Sequence, residues 1–125
     1  MTEHLAPVLA LTAEGDQERA ETLAEALLQR RLVACVSLQP VRSTYHWQGG
    51  LVRENEVQLL MKTSSRCLDA LKQAVMTLHS YDTPEWLSWN VDAAPAYREW
   101  LLSELSSDAS LPALGAEPGS VRPAG

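Results

Sequence analysis

Apolar residues along this chain follow two spacings, and the places where one gives way to the other mark the elements. Residues 7–13, PVLALTA, are a short apolar run bounded by Glu14-Gly15-Asp16, the pattern of a buried strand. From Asp16 the period lengthens. Ala20, Leu23, Ala24, Leu27 and Leu28 recur at i, i+3, i+4, i+7 and i+8, one face of an amphipathic helix. Glu18, Glu21, Glu25 and Arg30 fall mostly on the other faces, Asp16 fits the N-cap, and Glu18 complements the helix dipole.

Two long extended stretches then meet at Gly49-Gly50. The first, VACVSLQPVRSTYHW, is rich in β-branched and aromatic residues. Pro40 interrupts it and cannot donate a ladder hydrogen bond, which predicts either a bulge or an edge position. The second, LVRENEVQLLMKT, alternates, with Val57, Leu59 and Met61 on one side and Glu56, Gln58 and Lys62 on the other. Trp47-Gln48-Gly49-Gly50 reads as a hairpin tip. Arms of roughly 13 residues reach about 43 Å, against roughly 17–20 Å for an ordinary strand. The excess exposes backbone, Tyr45 and Trp47, and a second subunit is the natural cover. The sequence therefore predicts an oligomer.

A second helix is expected from an N-cap at Ser65, with Leu68, Leu71, Val75 and Leu78 inward. The turn HSYDTP leads into a strand, EWLSWNV, because the residue before Pro84 is biased toward extended backbone. A last helix starts near Pro95, with Tyr97, Trp100, Leu101 and Leu105 as its apolar face. Residues 1–105 form one domain, and 106–125, rich in Gly and Pro without periodicity, read as a flexible C-terminal tail. The order β-α-β-β-α-β-α predicts an α+β fold, the ferredoxin-like split βαβ arrangement. Its antiparallel sheet carries helices on one face, a long β2–β3 hairpin and an extra C-terminal helix.

Composition narrows the function more than the fold. The 125 residues suit one domain, large enough for its own core. A formal charge of −6 with interspersed signs argues against a nucleic-acid surface, which needs clustered Lys and Arg. The N-terminus lacks a signal-peptide pattern, and no stretch approaches the roughly 20 apolar residues of a membrane span. A cytoplasmic protein without membrane contact is expected. The two cysteines, Cys35 and Cys67, are expected to be reduced and buried.

Candidate chemistry concentrates in residues 78–89, LHSYDTPEWLSW. Cys35 and His79 could form a thiol-base pair if the fold joined them, but Cys35 between Ala34 and Val36 reads as a small strand hydrophobe. Asp82 and Glu85 are candidate acid-base groups on one turn. His79, Asp82, Glu85 and Cys35 include metal-ligand types, at spacings that match no zinc or calcium motif. The Tyr and Trp residues suit either core packing or interfaces and clefts. Tyr45 and Trp47, beside the hairpin tip, depart most from core packing.

Three stretches carry a resemblance: LVACVSLQPVRSTYHWQG, EVQLLMKT and LHSYDTPEWLSWNVDAAPAYREWL. In unbroken order over about residues 7–105 they resemble the signatures of the CutA divalent-cation tolerance family. The resemblance implies a homotrimer of ferredoxin-like subunits similar to the PII signalling proteins, with hairpins pairing across boundaries and no catalytic reaction. It implies a role in divalent metal (copper) tolerance or homeostasis, with metal ions or a small ligand held in inter-subunit clefts. Carried over by position, the cleft residues are Cys35, Tyr45, Trp47, Lys62, Tyr81 and Glu85, with His79 as the metal ligand. Trp100 matches a packing position. No cofactor is required, and copper or another divalent ion would be weakly bound. The chain departs from the copper-binding pattern: Leu11 stands where some members have a first-strand cysteine, Leu78 where they have a first histidine, and Ser80 where proline is usual. The alternatives are a PII-like sensor of a small, anionic ligand, or a stable trimeric scaffold for protein partners without metal function.

Overall fold

The computed structural model describes residues 5–107. Strand β1 (Pro7–Glu14) leads into helix α1 (Gln17–Gln29), then β2 (Cys35–Trp47), β3 (Gly50–Ser64), α2 (Leu68–Leu78), β4 (Leu87–Asn90) and α3 (Pro95–Ser103). The sheet order is β2-β3-β1-β4, and each neighbouring pair is antiparallel. This is the expected split βαβ arrangement. The boundary expected after residue 105 falls two residues before the end of the described chain. Ser106 N–H donates to Arg31 O, and Arg66 donates to Ser107 O. The rest of that expectation, residues 108–125, lies outside the described residues.

Alternation decides which side of the sheet is covered. Val57, Leu59 and Met61 of β3 pack with Leu23 and Leu27 of α1 and with Leu71 and Val75 of α2 in one buried cluster. The opposite face carries Leu9 and Leu11 of β1, Leu60 and Lys62 of β3, Cys35 and Ser37 of β2, and Leu87 and Trp89 of β4. Leu87 and Trp89 are exposed there.

Helix α1 begins as expected: Asp16 Oδ1 accepts the Arg19 N–H at 2.8 Å. It ends on a Schellman motif, in which Leu32 N–H reaches Leu27 O and Arg31 N–H reaches Leu28 O. That motif needs a left-handed residue, here Arg31 at φ 56° where glycine is usual. The Arg31 guanidinium binds the Glu104 carbonyl and carboxylate, joining the end of α1 to the end of α3.

The start of α2 differs from expectation. Ser65 extends the β1–β3 ladder instead of capping the helix: its N–H donates to Ala6 O and its hydroxyl accepts the Ala6 N–H. The helix starts at Leu68 with Cys67 at the cap position and no side-chain cap bond. Strand β4 is also shorter than EWLSWNV, since Trp86 turns inward against the core before Leu87 begins pairing with Leu11. Helix α3 has Pro95 in its first turn as expected, but among Tyr97, Trp100 and Leu101 only Leu101 is buried. Tyr97 and Trp100 pack against each other in a tilted pair, 5.4 Å between ring centroids, and stay exposed.

The hairpin is the feature that reaches beyond the body. Its strands have 13 and 15 residues, in one unbroken register from Cys35↔Lys62 to Trp47↔Gly50. Of the two readings of Pro40, the edge position is the one adopted. Gln48 at φ 48° and Gly49 at φ 85° form a two-residue turn of the type I′ hand, so Trp47 and Gly50 are a hydrogen-bonded pair. Stepping back by twos, Pro40 falls at a position whose N–H would point away from β3. Its missing donor therefore costs no bond. β1 pairs with β3 only as far as Glu14↔Val57, which leaves residues 50–56 paired to β2 alone. At about 3.4 Å per residue the ribbon overhangs the sheet by about 24 Å.

Candidate functional site

The candidate residues fall into two groups on the open side of the sheet and at its end. One is built on the cross-strand pair Cys35↔Lys62. Lys62 Nζ donates to Ser37 Oγ at 2.7 Å and lies 3.6 Å from Cys35 Sγ. Cys35 and Lys62 are half-buried. Cys35 is thus the first residue of β2 and lies beside an ammonium on the open face, where a buried apolar setting was expected.

The other group gathers where α2 stops. His79 leaves the helix in extended conformation, which turns its ring under the end of β1. Its Nε2 donates to Ala13 O at 2.7 Å, and its Nδ1 accepts the Tyr81 N–H at 3.0 Å. A carbonyl only accepts and an amide N–H only donates, so these partners assign a hydrogen to Nε2 and an accepting role to Nδ1. The carboxylate of Glu14, buried like the ring, lies 3.3 Å from Nδ1. Glu14 accepts from the Ser80 N–H, the Ser80 hydroxyl and the Gly15 N–H. Three donors allow a carboxylate to be buried without a cation against it.

Tyr81 extends this group to the base of the hairpin. Its hydroxyl donates to Glu56 Oε2 at 2.7 Å, and its ring lies 4.8 Å from that of His79. Burial first, and then the Glu56 carboxylate, push the Tyr81 phenol well above its ordinary range. Further out on the ribbon, partial loss of water and the neighbouring Glu54 raise the Tyr45 phenol. Tyr45 and Trp47 are exposed, Trp47 more so at 57%.

Some juxtapositions that the sequence left open are not formed. Cys35 sits opposite Lys62, whose β1 partner is Leu9, while His79 is bonded at Ala13. Those β1 positions are about 13 Å apart, so no thiol-imidazole pair exists within the protomer. Asp82 and Glu85 are exposed and have no hydrogen bond or ion pair among the described residues. Glu14, Glu56 and Ser37 are the partners that sequence reading missed. Glu14 read as the polar end of a strand, and nothing in its spacing from Ser80 signalled the contact. A surface depression of about 560 Å³ along α2, lined by Asp69, Lys72, Gln73, Met76 and Thr77, contains none of these residues.

A divalent ion fits this protomer poorly. Both His79 nitrogens are engaged, and Cys35 faces an ammonium that repels cations. Among the described residues no three His, Cys, Asp or Glu side chains come together in a metal-binding group.

A ferredoxin-like chain with an overhanging hairpin and polar groups at its open edges is the class of protein that these features define. Residues 8–104 match the family model of the CutA1 divalent ion tolerance protein. The chain belongs to that family, whose name describes a tolerance protein rather than a catalyst. The divalent-cation tolerance protein CutA of Pectobacterium atrosepticum is 40% identical over 100 residues, covering 78% of this chain and 91% of that protein. The Thermus thermophilus protein of the same name is 39% identical over 95 residues, covering 74% and 92%. Among solved structures, CutA from Synechococcus elongatus superposes with a TM-score of 0.79 at 40% identity, covering 82% of this chain and 96% of that one. CutA1 from Pyrococcus horikoshii gives 0.78 at 32% identity, covering 80% and 99%. Among the described residues no helix is long and apolar enough to cross a membrane.

Proposed function

We propose that this chain acts in divalent-cation tolerance as a PII-like homotrimer whose ligand sites lie in the clefts between subunits. The overhanging ribbon carries the reading. About 24 Å of two-stranded hairpin, with Tyr45, Trp47 and Leu51 exposed along it, has no support from its own sheet. Such a ribbon is marginal alone and becomes stable when another copy packs on it. The open sheet face gives the same copies apolar ground at Leu9, Leu11, Leu60, Leu87 and Trp89. Tyr81 and Glu56 tie the candidate loop to the root of the ribbon, which supports a boundary beside the exposed Glu85 that a second copy would complete.

Copper binding in such a cleft draws on donors from two copies, because the described residues of one protomer offer no complete set. Asp82 and Glu85, exposed and unpaired among the described residues, are carboxylates that such a shared site would draw on, with imidazole or thiolate the better copper donors. Titration calorimetry of the assembled protein with Cu²⁺ and Zn²⁺ tests this. Saturable heat that weakens in Glu85→Gln supports it; no heat and no change in melting temperature with either ion refutes direct binding. Lys62 favours the second reading, a sensor of a small molecule in the PII manner, since its ammonium opposes a cation at Cys35.

A further inference from the structure

We propose that Lys62, Ser37 and Cys35 form a binding site for a small monocarboxylate, a carboxylate head with a short hydrocarbon tail. The inference rests on the reading that copies of the chain cover the open sheet face. Lys62 points onto that face from the cross-strand pair with Cys35, directly beside Leu9, and Trp89 lies beyond Leu9 in the same row. The next row is Ser37, Leu60, Leu11 and Leu87. An ammonium therefore stands at the border of an apolar patch.

Its partners on the chain are neutral. Ser37 Oγ accepts one Nζ proton at 2.7 Å, Cys35 Sγ takes a weaker contact at 3.6 Å, and the third donor has no partner among the described residues. The nearest acids on the same face of β3 are Glu56 and Glu54, and Glu56, about 20 Å along the strand, already accepts from Tyr81. Covering the face removes water from a cation with no counter-charge among the described residues of its own chain, which is unfavourable unless an anion enters with it or a neighbouring copy supplies an acid.

Three groups with a hydrogen to donate lie in one cluster: Lys62 Nζ, the Ser37 hydroxyl, whose oxygen accepts from Lys62, and the Cys35 thiol. A carboxylate matches one positive charge and accepts from several donors. A phosphate carries close to two charges and is better held by paired guanidiniums or a backbone nest, neither of which is built here. The Leu9 and Trp89 side chains provide a surface for a hydrocarbon tail. No covalent step is involved.

Melting temperature in acetate, propionate, butyrate and inorganic phosphate, each against chloride at equal ionic strength, is the test, with mass by light scattering on the same samples. A saturable rise with the carboxylates is expected, larger for the longer tails and smaller for phosphate. Lys62→Met should abolish it, Lys62→Arg should keep part of it, and Ser37→Ala should weaken it without changing mass. The proposal is overturned by an oligomer that shows no carboxylate effect, by phosphate acting more strongly, or by an effect that survives Lys62→Met. It is overturned as well if Glu54→Gln or Glu56→Gln loosens the oligomer as much as Lys62→Met, because a copy's acid would then be the counter-charge. A monomeric wild type refutes the assembly reading by itself; the carboxylate site then stands or falls on whether the Lys62-dependent rise remains.

Discussion

Thr12 and Glu14 are both buried polar residues on the same side of β1, and the chain treats them differently. Glu14 has three donors, whereas Thr12 Oγ1 is buried without a hydrogen-bond partner among the described residues. Replacing the hydroxyl with a methyl group of similar shape removes a desolvation cost. Thr12→Val is therefore expected to raise stability by about 1 kcal/mol, read from the denaturant midpoint at unchanged slope. Tyr81 gives a pH dependence. Its phenol is raised in the folded state, so the folded chain holds that proton more tightly than the unfolded one. This contribution is complete below the phenol's ordinary pKa of about 10 and is lost as pH rises through the folded value. Tyr81→Phe should flatten the alkaline fall in melting temperature; an unchanged slope would mean that burial and Glu56 do not raise the phenol in the folded chain. These residue-scale networks were only half legible in the sequence. His79 and Tyr81 stand out by type, but Glu14 reaches Ser80 across 66 positions, and no local pattern encodes that.

At the scale of elements, periodicity located the strands and helices, and local chemistry misplaced some of their ends. Ala20, Leu23, Ala24 and Leu27 of the expected α1 face are buried, whereas Leu28, expected on the same face, is exposed and Ala26 is buried. Ser65 looked like a cap because serine favours that position, yet the ladder with Ala6 took its hydrogen bonds. The α1 terminus was not legible because the left-handed position holds Arg31, kept there by Glu104, instead of the glycine that usually marks it. Tyr97 and Trp100 fit a helical apolar face by spacing, but only Leu101 has its own sheet to pack against. The hairpin turn offers a clean test. Gln48 occupies a positive-φ position that asparagine tolerates better. Gln48→Asn should stabilise the chain by a few tenths of a kcal/mol to about 1 kcal/mol, seen as a higher thermal midpoint. Destabilisation would show that the Gln48 side chain makes a contact elsewhere in the assembly.

For the whole molecule, strand length was the informative number. A chain that builds arms of 13 and 15 residues around a β1 of 8 has more ribbon than its own sheet can use. The split βαβ order and the excess ribbon were both readable from alternation and turn residues. Neither could show that the exposed aromatic residues on α3 and β4 lie outside the protomer's core, because periodicity does not distinguish a core from an interface. The account's central claim is that this ribbon and the open sheet face are completed by other copies of the chain. Sedimentation equilibrium at micromolar concentration tests it most directly. The expected result is a species of three times the 13.7 kDa protomer. A folded, cooperatively melting species at one protomer mass would contradict it.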